Sequence, residues 1–356
     1  MEVLMGKRSI DKEVLKMISP GTVLRQGLDN VLKAKTGGLI VIAEDDSVMD
    51  LVDGGFSINV NFTPSYLYEL AKMDGAIVIN KDVDEILYAN TQLIPDYSIK
   101  TSETGTRHRT AERVAKQTNA IVIAISQRRN VISVYKGDRK YVVEDISKVF
   151  TKANQALQTL EKYKTVLDQV VSNLNALEFN GFVTIYDVAV VIQKIEMVMR
   201  VTDIIENYLL ELGNEGTLIS MQLEELMGST RDDRNLVFKD YESDVNANEF
   251  RRKLSDMSEE DLLDLTNIAR ILGYSGFSEN MDMPIKTKGY RVLNKIHRLP
   301  SNIIDNLVVY FDNFQDILKA SIEELDKVEG IGEIRATYIK NGLIKMRQLA
   351  LLDGHL

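Results

Sequence analysis

Three basic-type side chains stand together at the start of a predicted helix, in residues 105–113. Asp and Glu are favoured in a helix's first turn, because the positive end of the helix dipole repels cations there. Arg107, His108 and Arg109 oppose that preference, which indicates that an anion lies at this helix start. Free amides, the hydroxyls of Thr106 and Thr110 and two guanidinium groups together favour a polyphosphate. We expect Thr106 to be the N-cap; the alternative for this triplet is a surface loop.

A second candidate element is the triplet Asp74-Gly75-Ala76, which lies between a predicted helix and a predicted strand. By itself an Asp-Gly pair is typical of an ordinary turn. The sequence contains no standard nucleotide-binding or nucleophile motif that would offer an alternative site. Gly6-Lys7-Arg8 lacks the earlier glycine and the following hydroxyl of a P-loop. The kinase signature set and a Gly-x-Ser-x-Gly element are absent as well.

A third candidate lies near the end of the chain, where Gly330-Ile331-Gly332 separates two predicted helices. The glycines permit tight backbone shapes, and they let a phosphate approach the amides of the second helix. Such contacts read the DNA backbone and not its sequence. The segment resembles the helix–hairpin–helix family of DNA-binding modules, and the alternative is a turn used only for packing. Nearby positive charge is supplied by Lys327, Arg335, Lys340, Lys345 and Arg347.

Composition narrows the class of protein. The 356 residues carry a formal charge of −10, 44% are hydrophobic, and the chain can therefore bury a core. The absence of cysteine excludes disulfides, thiolate zinc sites and a cysteine nucleophile, and three histidines are too few for a histidine-rich metal site. With no apolar signal region at the start and no run of roughly 18 apolar residues, we expect a cytoplasmic protein with no membrane partner.

The pattern of apolar and charged residues changes twice along the sequence, which predicts three domains at 1–145, 146–285 and 286–356. In the first, apolar runs predict buried strands at 38–43, 76–79, 120–125 and 131–135, and a glycine turn at 136–139 predicts a hairpin between the last of these and 140–143. Helical patterns lie between the strands, so we expect a mixed β-sheet flanked by helices, within an α+β fold. The second is all-helical, with a heptad-like leucine stripe from Leu157 to Leu177 and a second long helix over 185–212. The third holds 11 Lys and Arg against 9 Asp and Glu, which suits a phosphate-contacting module in an acidic protein. Its stretch 303–318 is a candidate first half of a paired hairpin module.

The two N-terminal elements at this spacing resemble the diadenylate cyclase (DAC) domain family. With a helical middle and the C-terminal hairpin, the whole chain resembles the DNA integrity scanning branch of that family. The resemblance implies that two ATP molecules condense into cyclic di-AMP with release of two pyrophosphates, using Mg²⁺ or Mn²⁺. It also implies a role as a checkpoint that senses branched or damaged DNA, in the cytoplasm and at the nucleoid.

The resemblance further implies roles for individual residues. Asp74 binds the metal ion and helps to activate the ribose 3′-hydroxyl, and Gly75 with Ala76 lets the nucleotide lie close to the backbone. Arg107, His108 and Arg109 act in catalysis and, with Thr106 and Thr110, hold the triphosphate. Adenine is met by backbone near Leu93. Further phosphate candidates are Ser126, Arg128 and Arg129, and the DNA contacts are assigned to Lys327, Gly330, Ile331, Gly332, Arg335 and Lys340.

Each chain holds the motif pair once, whereas the product has two equivalent bonds, so two chains are expected to face each other across a twofold axis. The family resemblance implies an octamer built from such face-to-face DAC dimers. Recombination intermediates are the expected DNA partners. Two other readings stay open from the residues alone, namely a DNA-structure scaffold that binds ATP without turnover, and an ATP-dependent ligase or nuclease.

Overall fold

A computed structural model describes residues 10–43, 45–242, 246–274 and 281–353. In the first of two compact units, formed by 1–154 and 206–220, eight strands make one mixed sheet. Its order is β2-β5-β4-β1-β6-β7-β8, and β3 pairs with β5 outside this path. The strands are β1 (Gly38–Ala43), β2 (Val52–Asp53), β3 (Phe56–Asn61), β4 (Ala76–Asn80), β5 (Glu85–Leu93), β6 (Ile121–Ser126), β7 (Val131–Lys136) and β8 (Arg139–Val142).

Parallel pairing occurs between β1 and β4, where Leu39 lies opposite Ala76. β1 pairs antiparallel with β6, with Gly38 opposite Ile125. The predicted hairpin after Val131 is present as β7 and β8, which pair from Ser133↔Val142 to Lys136↔Arg139. The start of β1, the start of β4 and the end of β6 therefore share one edge of the sheet.

Helices cover both faces of this sheet. They are α1 (Lys12–Ile18), α2 (Val23–Lys33), α3 (Pro64–Leu70) and α4 (Thr106–Thr118). Isoleucines of the central strands, such as Ile40 and Ile77, face the first three helices. Their alternate neighbours, such as Val41 and Ala124, face α4, because successive strand residues point to opposite sides. The predicted helix-flanked mixed sheet is confirmed.

The middle of the chain is helical, as the leucine stripe predicted. Helix α5 (Ile146–Asn180) is followed by α6 (Ile185–Leu212), whose bounds match the prediction. Four stripe residues, Leu157, Leu160, Leu167 and Leu174, are buried. The remaining described helices of this part are α7 (Thr217–Met227), α8 (Thr230–Tyr241), α9 (Ala247–Asp256), α10 (Glu259–Leu263) and α11 (Leu265–Ile271). In the described residues, no helix is both long and apolar enough to span a membrane.

In the described residues after 286, five helices belong to the second compact unit, which comprises 155–205 and 221–356. They are α12 (Tyr290–Asn294), α13 (Ser301–Phe311), α14 (Phe314–Lys319), α15 (Ile322–Asp326) and α16 (Glu333–Asp353). Their buried residues form one core with Phe179 of α5. The three-domain division stays a prediction, and residues 275–280, shortly before the second predicted boundary, lie outside the described residues.

A buried ionic network ties α5, α8 and α12 together within the second unit. The Arg291 guanidinium donates hydrogen bonds to Glu178 and to Asn175, and both charged side chains are fully buried. Asp240 accepts hydrogen bonds from the backbone amides of Gly289, Tyr290 and Arg291 at the start of α12. The guanidinium thus pairs directly with Glu178 and also attracts the nearby buried carboxylate of Asp240 through its charge. Its removal would leave buried negative charge without compensation.

We therefore expect Arg291→Met to lower the free energy of unfolding of the protein by about 3–5 kcal/mol. Urea denaturation, monitored by circular dichroism, measures this loss. Lys253→Met is the matched control, because the Lys253–Glu249 pair is half exposed on α9 and exposed pairs contribute little. Equal unfolding midpoints for the two variants would contradict the importance of the buried network.

Candidate active site

A cavity of about 1050 Å³ opens at the sheet edge where β1 and β4 begin and where β5 and β6 end. Its walls come from four places: the first residues of β4, the last residues of β5, the first turns of α4 and the loop after β6. The lining residues are Leu39, Gly75, Ala76, Thr91, Gln92, Leu93, Tyr97, Thr104, Gly105, Thr106, Arg107, His108, Arg109, Thr110, Arg113, Ile125, Ser126, Gln127, Arg128 and Arg129. The sequence analysis predicted eleven of these as site residues, namely Gly75, Ala76, Leu93, Thr106, Arg107, His108, Arg109, Thr110, Ser126, Arg128 and Arg129.

Helix α4 presents its N-terminus to this cavity. Gly105 is the N-cap residue and Thr106 is the first helical residue, so the predicted N-cap at Thr106 is wrong by one position. The glycine has no side chain to accept from the first amides, which stay available to a ligand. The first turn carries no acidic residue. An uncapped, cation-flanked helix start over a cavity is suited to an anion.

The two guanidinium groups of the triplet differ in burial. Arg107 is half-buried and lies close to Gly37, where an added Cβ would stand 2.7 Å from Nη1 of Arg107. Arg109 is exposed. Both line the cavity. One arginine is therefore positioned by packing, and the other can move to meet a ligand.

His108 is held from behind by Tyr135 of β7. Its Nδ1 lies 3.0 Å from the Tyr135 hydroxyl, which donates to Oε1 of Glu103 at 3.0 Å. Its Nε2 is buried and has no hydrogen-bond partner in the described part of the chain. Burial, the largest cause, together with Lys140, Arg129 and Arg107, lowers the pKa of His108 below its ordinary value of 6.5, although Glu103 opposes the shift. The free site thus favours a neutral imidazole.

Gly75 and Asp74 stand at the start of β4. Gly75 has φ +105°, and a Cβ there would lie 2.8–3.0 Å from backbone atoms of Asn90 and Thr91 on β5. The sheet itself therefore requires glycine at this position. Asp74 is exposed and does not line the cavity directly, although its neighbour Gly75 does.

The donor set for a metal ion is sparse. Within the described ranges, no three His, Asp or Glu side chains cluster closely enough to hold an ion. Asp74 is the exposed carboxylate at the rim, next to the lining residue Gly75. One carboxylate fits Mg²⁺ when substrate phosphates supply most other ligands, as this ion prefers.

The loop after β6 adds further polar groups to the cavity. The Arg129 amide donates to Oγ of Ser126 at 3.2 Å, and Nη2 of Arg129 donates to Oγ1 of Thr104 at 3.5 Å. Arg128 is exposed. On the opposite wall Ala76 and Leu93 are buried, so their contribution to a ligand is mainly backbone and apolar surface.

Sequence reasoning missed several lining residues, of which Arg113 and Tyr97 are the clearest. The Arg113 guanidinium donates from Nε to the carbonyl of Ile99 at 3.0 Å. It also lies 5.3 Å from the centre of the Tyr97 ring. Tyr97 is 66% exposed. Arg113 falls one turn after Arg109 on the same helix face, and that spacing was a signal in the sequence.

The predicted C-terminal hairpin has the expected order of helix, turn and helix, as α15, residues 327–332 and α16. Gly330 has φ +80°. Ile331 is buried in the core, so its side chain is not available to a ligand. Nζ of Lys340 donates to the carbonyls of Leu318 and Ala320 at 2.9 and 2.6 Å, and Arg335 donates to the carbonyl of Gly330. Lys327 and Gly332 are exposed.

Comparison with known proteins first defines the class. A sequence profile described as "DisA bacterial checkpoint controller nucleotide-binding", the DAC family, matches residues 25–140. A second, described as "DisA bacterial checkpoint controller linker region", matches residues 143–281. The N-terminal sheet and its cavity are therefore a DAC nucleotide-binding domain.

Full-length relatives then define the family. The chain is 74% identical over 343 residues to the DNA integrity scanning protein DisA of Clostridioides difficile, covering 96% of each chain. It is 57% identical to the protein of the same name from Clostridium perfringens, covering 97% of this chain and 98% of the relative. The chain belongs to the DisA family of diadenylate cyclases, nucleotidyltransferases with a role in DNA integrity scanning. The scaffold without turnover and the ligase or nuclease are thereby set aside.

Solved structures also match this chain. A double mutant of DacA from Staphylococcus aureus is 24% identical, and the alignment covers 38% of this chain and 91% of that one. The TM-score is 0.31, which is too low to support a structural conclusion.

Proposed function

We propose that the cavity at the N-terminus of α4 binds ATP and is where its condensation into cyclic di-AMP begins. The observation that carries this proposal is the uncapped start of α4, where Arg107, His108 and Arg109 face a cavity large enough for a nucleotide. Amides at a helix N-terminus and guanidinium groups both bind phosphate oxygens. Thr106 and Thr110 add hydroxyl donors, and the set stabilises charge that develops on the pyrophosphate leaving group.

Asp74 is proposed to bind Mg²⁺ or Mn²⁺ and to help to activate the 3′-hydroxyl. When bound, the ion supplies positive charge to the phosphates and lowers the barrier to attack at the α-phosphorus. Gly75 and Ala76 let the nucleotide approach the start of β4, and the backbone near Leu93 meets adenine. Ser126, Arg128 and Arg129 are proposed as further phosphate contacts on the far wall.

Each chain has the motif pair once and is proposed to bind one ATP there, whereas cyclic di-AMP contains two equivalent phosphodiester bonds. The 3′-hydroxyl of each nucleotide must therefore attack the α-phosphorus of the other, with pyrophosphate leaving each time. We propose that two DAC domains face each other across a twofold axis, so that each supplies one nucleotide. We also propose that such dimers assemble into an octamer, as the resemblance to the family implies.

For DNA, the turn at Gly330 and Gly332 is proposed to bind phosphates, with Lys327 and Arg335 supplying charge. Ile331 and Lys340 then act indirectly, by packing and by holding the carbonyl end of α14. Branched DNA and recombination intermediates are the proposed ligands, and the proposed location is cytoplasmic and nucleoid-associated. A net positive C-terminal region in an acidic chain supports this local role.

The direct test is to incubate the purified protein with ATP and Mg²⁺, and in parallel with Mn²⁺, and to identify the product by mass spectrometry. Cyclic di-AMP and pyrophosphate in a ratio of two pyrophosphates per dinucleotide are expected from the stoichiometry above. Release of ADP or AMP, or no consumption of ATP, would overturn the proposal. Omitting the divalent ion is expected to stop the reaction.

A further inference from the structure

Behind His108 lies a chain of three polar side chains that the nucleotide-binding role does not by itself require. The Tyr135 hydroxyl donates to the carboxylate of Glu103, and Nζ of Lys140 forms an ion pair with the same Glu103 oxygen. Tyr135 is fully buried and the Glu103 side chain is nearly so. These residues come from β7, from the loop before α4 and from β8, so three separate elements build the relay.

The relay fixes where the proton of His108 resides. A tyrosine hydroxyl has one hydrogen, and here it is donated to Glu103. The Tyr135 oxygen must therefore accept from His108, which places a hydrogen on Nδ1. A neutral imidazole with Nδ1–H carries its lone pair on Nε2. That atom is the one without a partner in the described part of the chain.

Charges around the relay support this assignment. Burial alone would raise the pKa of Glu103, but the Lys140 and Tyr135 hydrogen bonds more than offset it and hold that pKa below its usual range. Burial and the Glu103 charge raise the pKa of Tyr135, so the phenol keeps its proton. Burial and the charges of Lys140, Arg129 and Arg107 lower the pKa of His108, whereas the Glu103 charge raises it.

We propose that Tyr135 and Glu103 are positioning residues that hold His108 in the Nδ1–H form, so that Nε2 takes up a proton when a triphosphate enters the cavity. This inference rests on the proposed function, because it needs the triphosphate at α4. His108 lines the cavity. A phosphate oxygen that reaches Nε2 is repelled by a lone pair there, whereas a protonated Nε2 donates a charge-assisted hydrogen bond to it. The added charge is then balanced through Tyr135 by the Glu103 carboxylate.

The step is a proton transfer and nothing more. One proton moves from the solvent buffer to Nε2, and the imidazole becomes an imidazolium with both nitrogens donating. Nδ1–H still donates to Tyr135, and Tyr135 still donates to Glu103, so no group in the relay changes its protonation. Bound phosphate reverses the balance of the free site, where burial and three cationic side chains disfavour the imidazolium.

The first experiment reads the tautomer without any ligand. Protein labelled with ¹⁵N-histidine is measured by solid-state NMR at neutral pH, and His108→Gln identifies the His108 signals among the three histidines. We expect a protonated Nδ1 and an unprotonated Nε2. Tyr135→Phe should release this preference and produce a mixture of tautomers. Tyr141→Phe is the matched control, because Tyr141 is also shielded and its hydroxyl interacts with Glu211 instead.

The second experiment counts protons during binding. Calorimetry with α,β-methylene ATP and Mg²⁺, in buffers of different ionisation enthalpy, should show uptake approaching about one proton per chain in the parent at pH 7 to 8. Glu103→Gln keeps an acceptor for Tyr135 but removes the charge, and it should reduce that uptake. Tyr141→Phe should behave as the parent does.

The outcomes separate the two proposals. If His108 carries its proton on Nε2 in the parent, or if the parent binds the analogue with uptake unchanged by Tyr135→Phe and Glu103→Gln, the positioning role is wrong while the nucleotide site stands. If the parent does not bind the analogue, both proposals fail. Should Tyr135→Phe not fold, the tautomer of the parent and the Glu103→Gln uptake still decide the matter.

Discussion

Asp74→Asn is expected to lower the rate of cyclic di-AMP formation by at least about a hundredfold, while binding to branched DNA is retained. A bound metal ion contributes several kcal/mol to such a reaction, and each 1.36 kcal/mol is about tenfold in rate. Asparagine keeps the size of the side chain but removes the charge that would hold the ion. Because Asp74 is exposed, the fold should tolerate the change. Product is quantified by mass spectrometry over a series of ATP concentrations.

Asp82→Asn is the control for that experiment. Asp82 is also an exposed aspartate, and it follows the end of β4 whereas Asp74 precedes its start. It lies outside the cavity lining, so cyclase activity should match the parent. Parental activity in Asp74→Asn, or an equal loss in both variants, would remove Asp74 from the proposed metal site.

The second large effect is expected at the C-terminal hairpin. Replacing both Gly330 and Gly332 with bulkier residues should weaken DNA binding and leave basal cyclase activity largely unchanged. Gly330 is the less informative of the two, because its φ is +80° and a Cβ there would stand 2.6 Å from Cδ1 of Ile303. A loss at Gly330 therefore mixes strain with ligand contact.

Gly332→Asn gives the sharper result. A Cβ at Gly332 meets only Oδ1 of Asp326, at 4.0 Å, and asparagine is favoured just before a helix such as α16. The fold should thus accept asparagine at this position. The new side chain should, however, block the approach of a DNA phosphate to the amides at the start of α16. We expect the affinity for a branched DNA to fall at least about tenfold, which is about 1.4 kcal/mol. Gel-shift titration measures it.

Gly342→Ala is the control in the same helix, away from the turn. Its new methyl group would make ordinary contact with Ile296 at 3.4 Å, so we expect parental DNA affinity. Cyclase activity without DNA should be parental in both variants. DNA affinity in Gly332→Asn equal to that in Gly342→Ala would refute the hairpin as the DNA contact.

The strands that the sequence predicted are those with continuous apolar runs. β1 has its predicted bounds, and β4, β6 and β7 differ from theirs by one residue, because a strand buried on both faces needs apolar residues throughout. β2, β3 and β5 were missed. β3 is a mostly exposed strand, and β5 has Asn90 at φ +53° and a shifting register with β4. Irregular pairing of this kind leaves no periodic signal.

For the site, local chemistry was predictable and long-range pairing was not. The charge pattern of Arg107, His108 and Arg109 violates a helix rule, and that violation is visible in the sequence alone. The partner of His108 is Tyr135, which lies 27 residues away in the sequence on β7. Only the folded sheet brings the tyrosine beneath the helix start. The burial of Asp240 and Arg291 escaped prediction for the same reason.

The close contact between Gly75 and the backbone of β5 has a practical consequence for genetic screens. Any side chain at this position collides with main-chain atoms of Asn90 and Thr91, which cannot rotate away. Inactive clones recovered at codon 75 will therefore be depleted in folded polypeptide, whereas those at codon 74 will accumulate to parental abundance. Immunoblotting a screen's inactive clones sorts the two kinds, and only the abundant ones point to residues that act on the nucleotide.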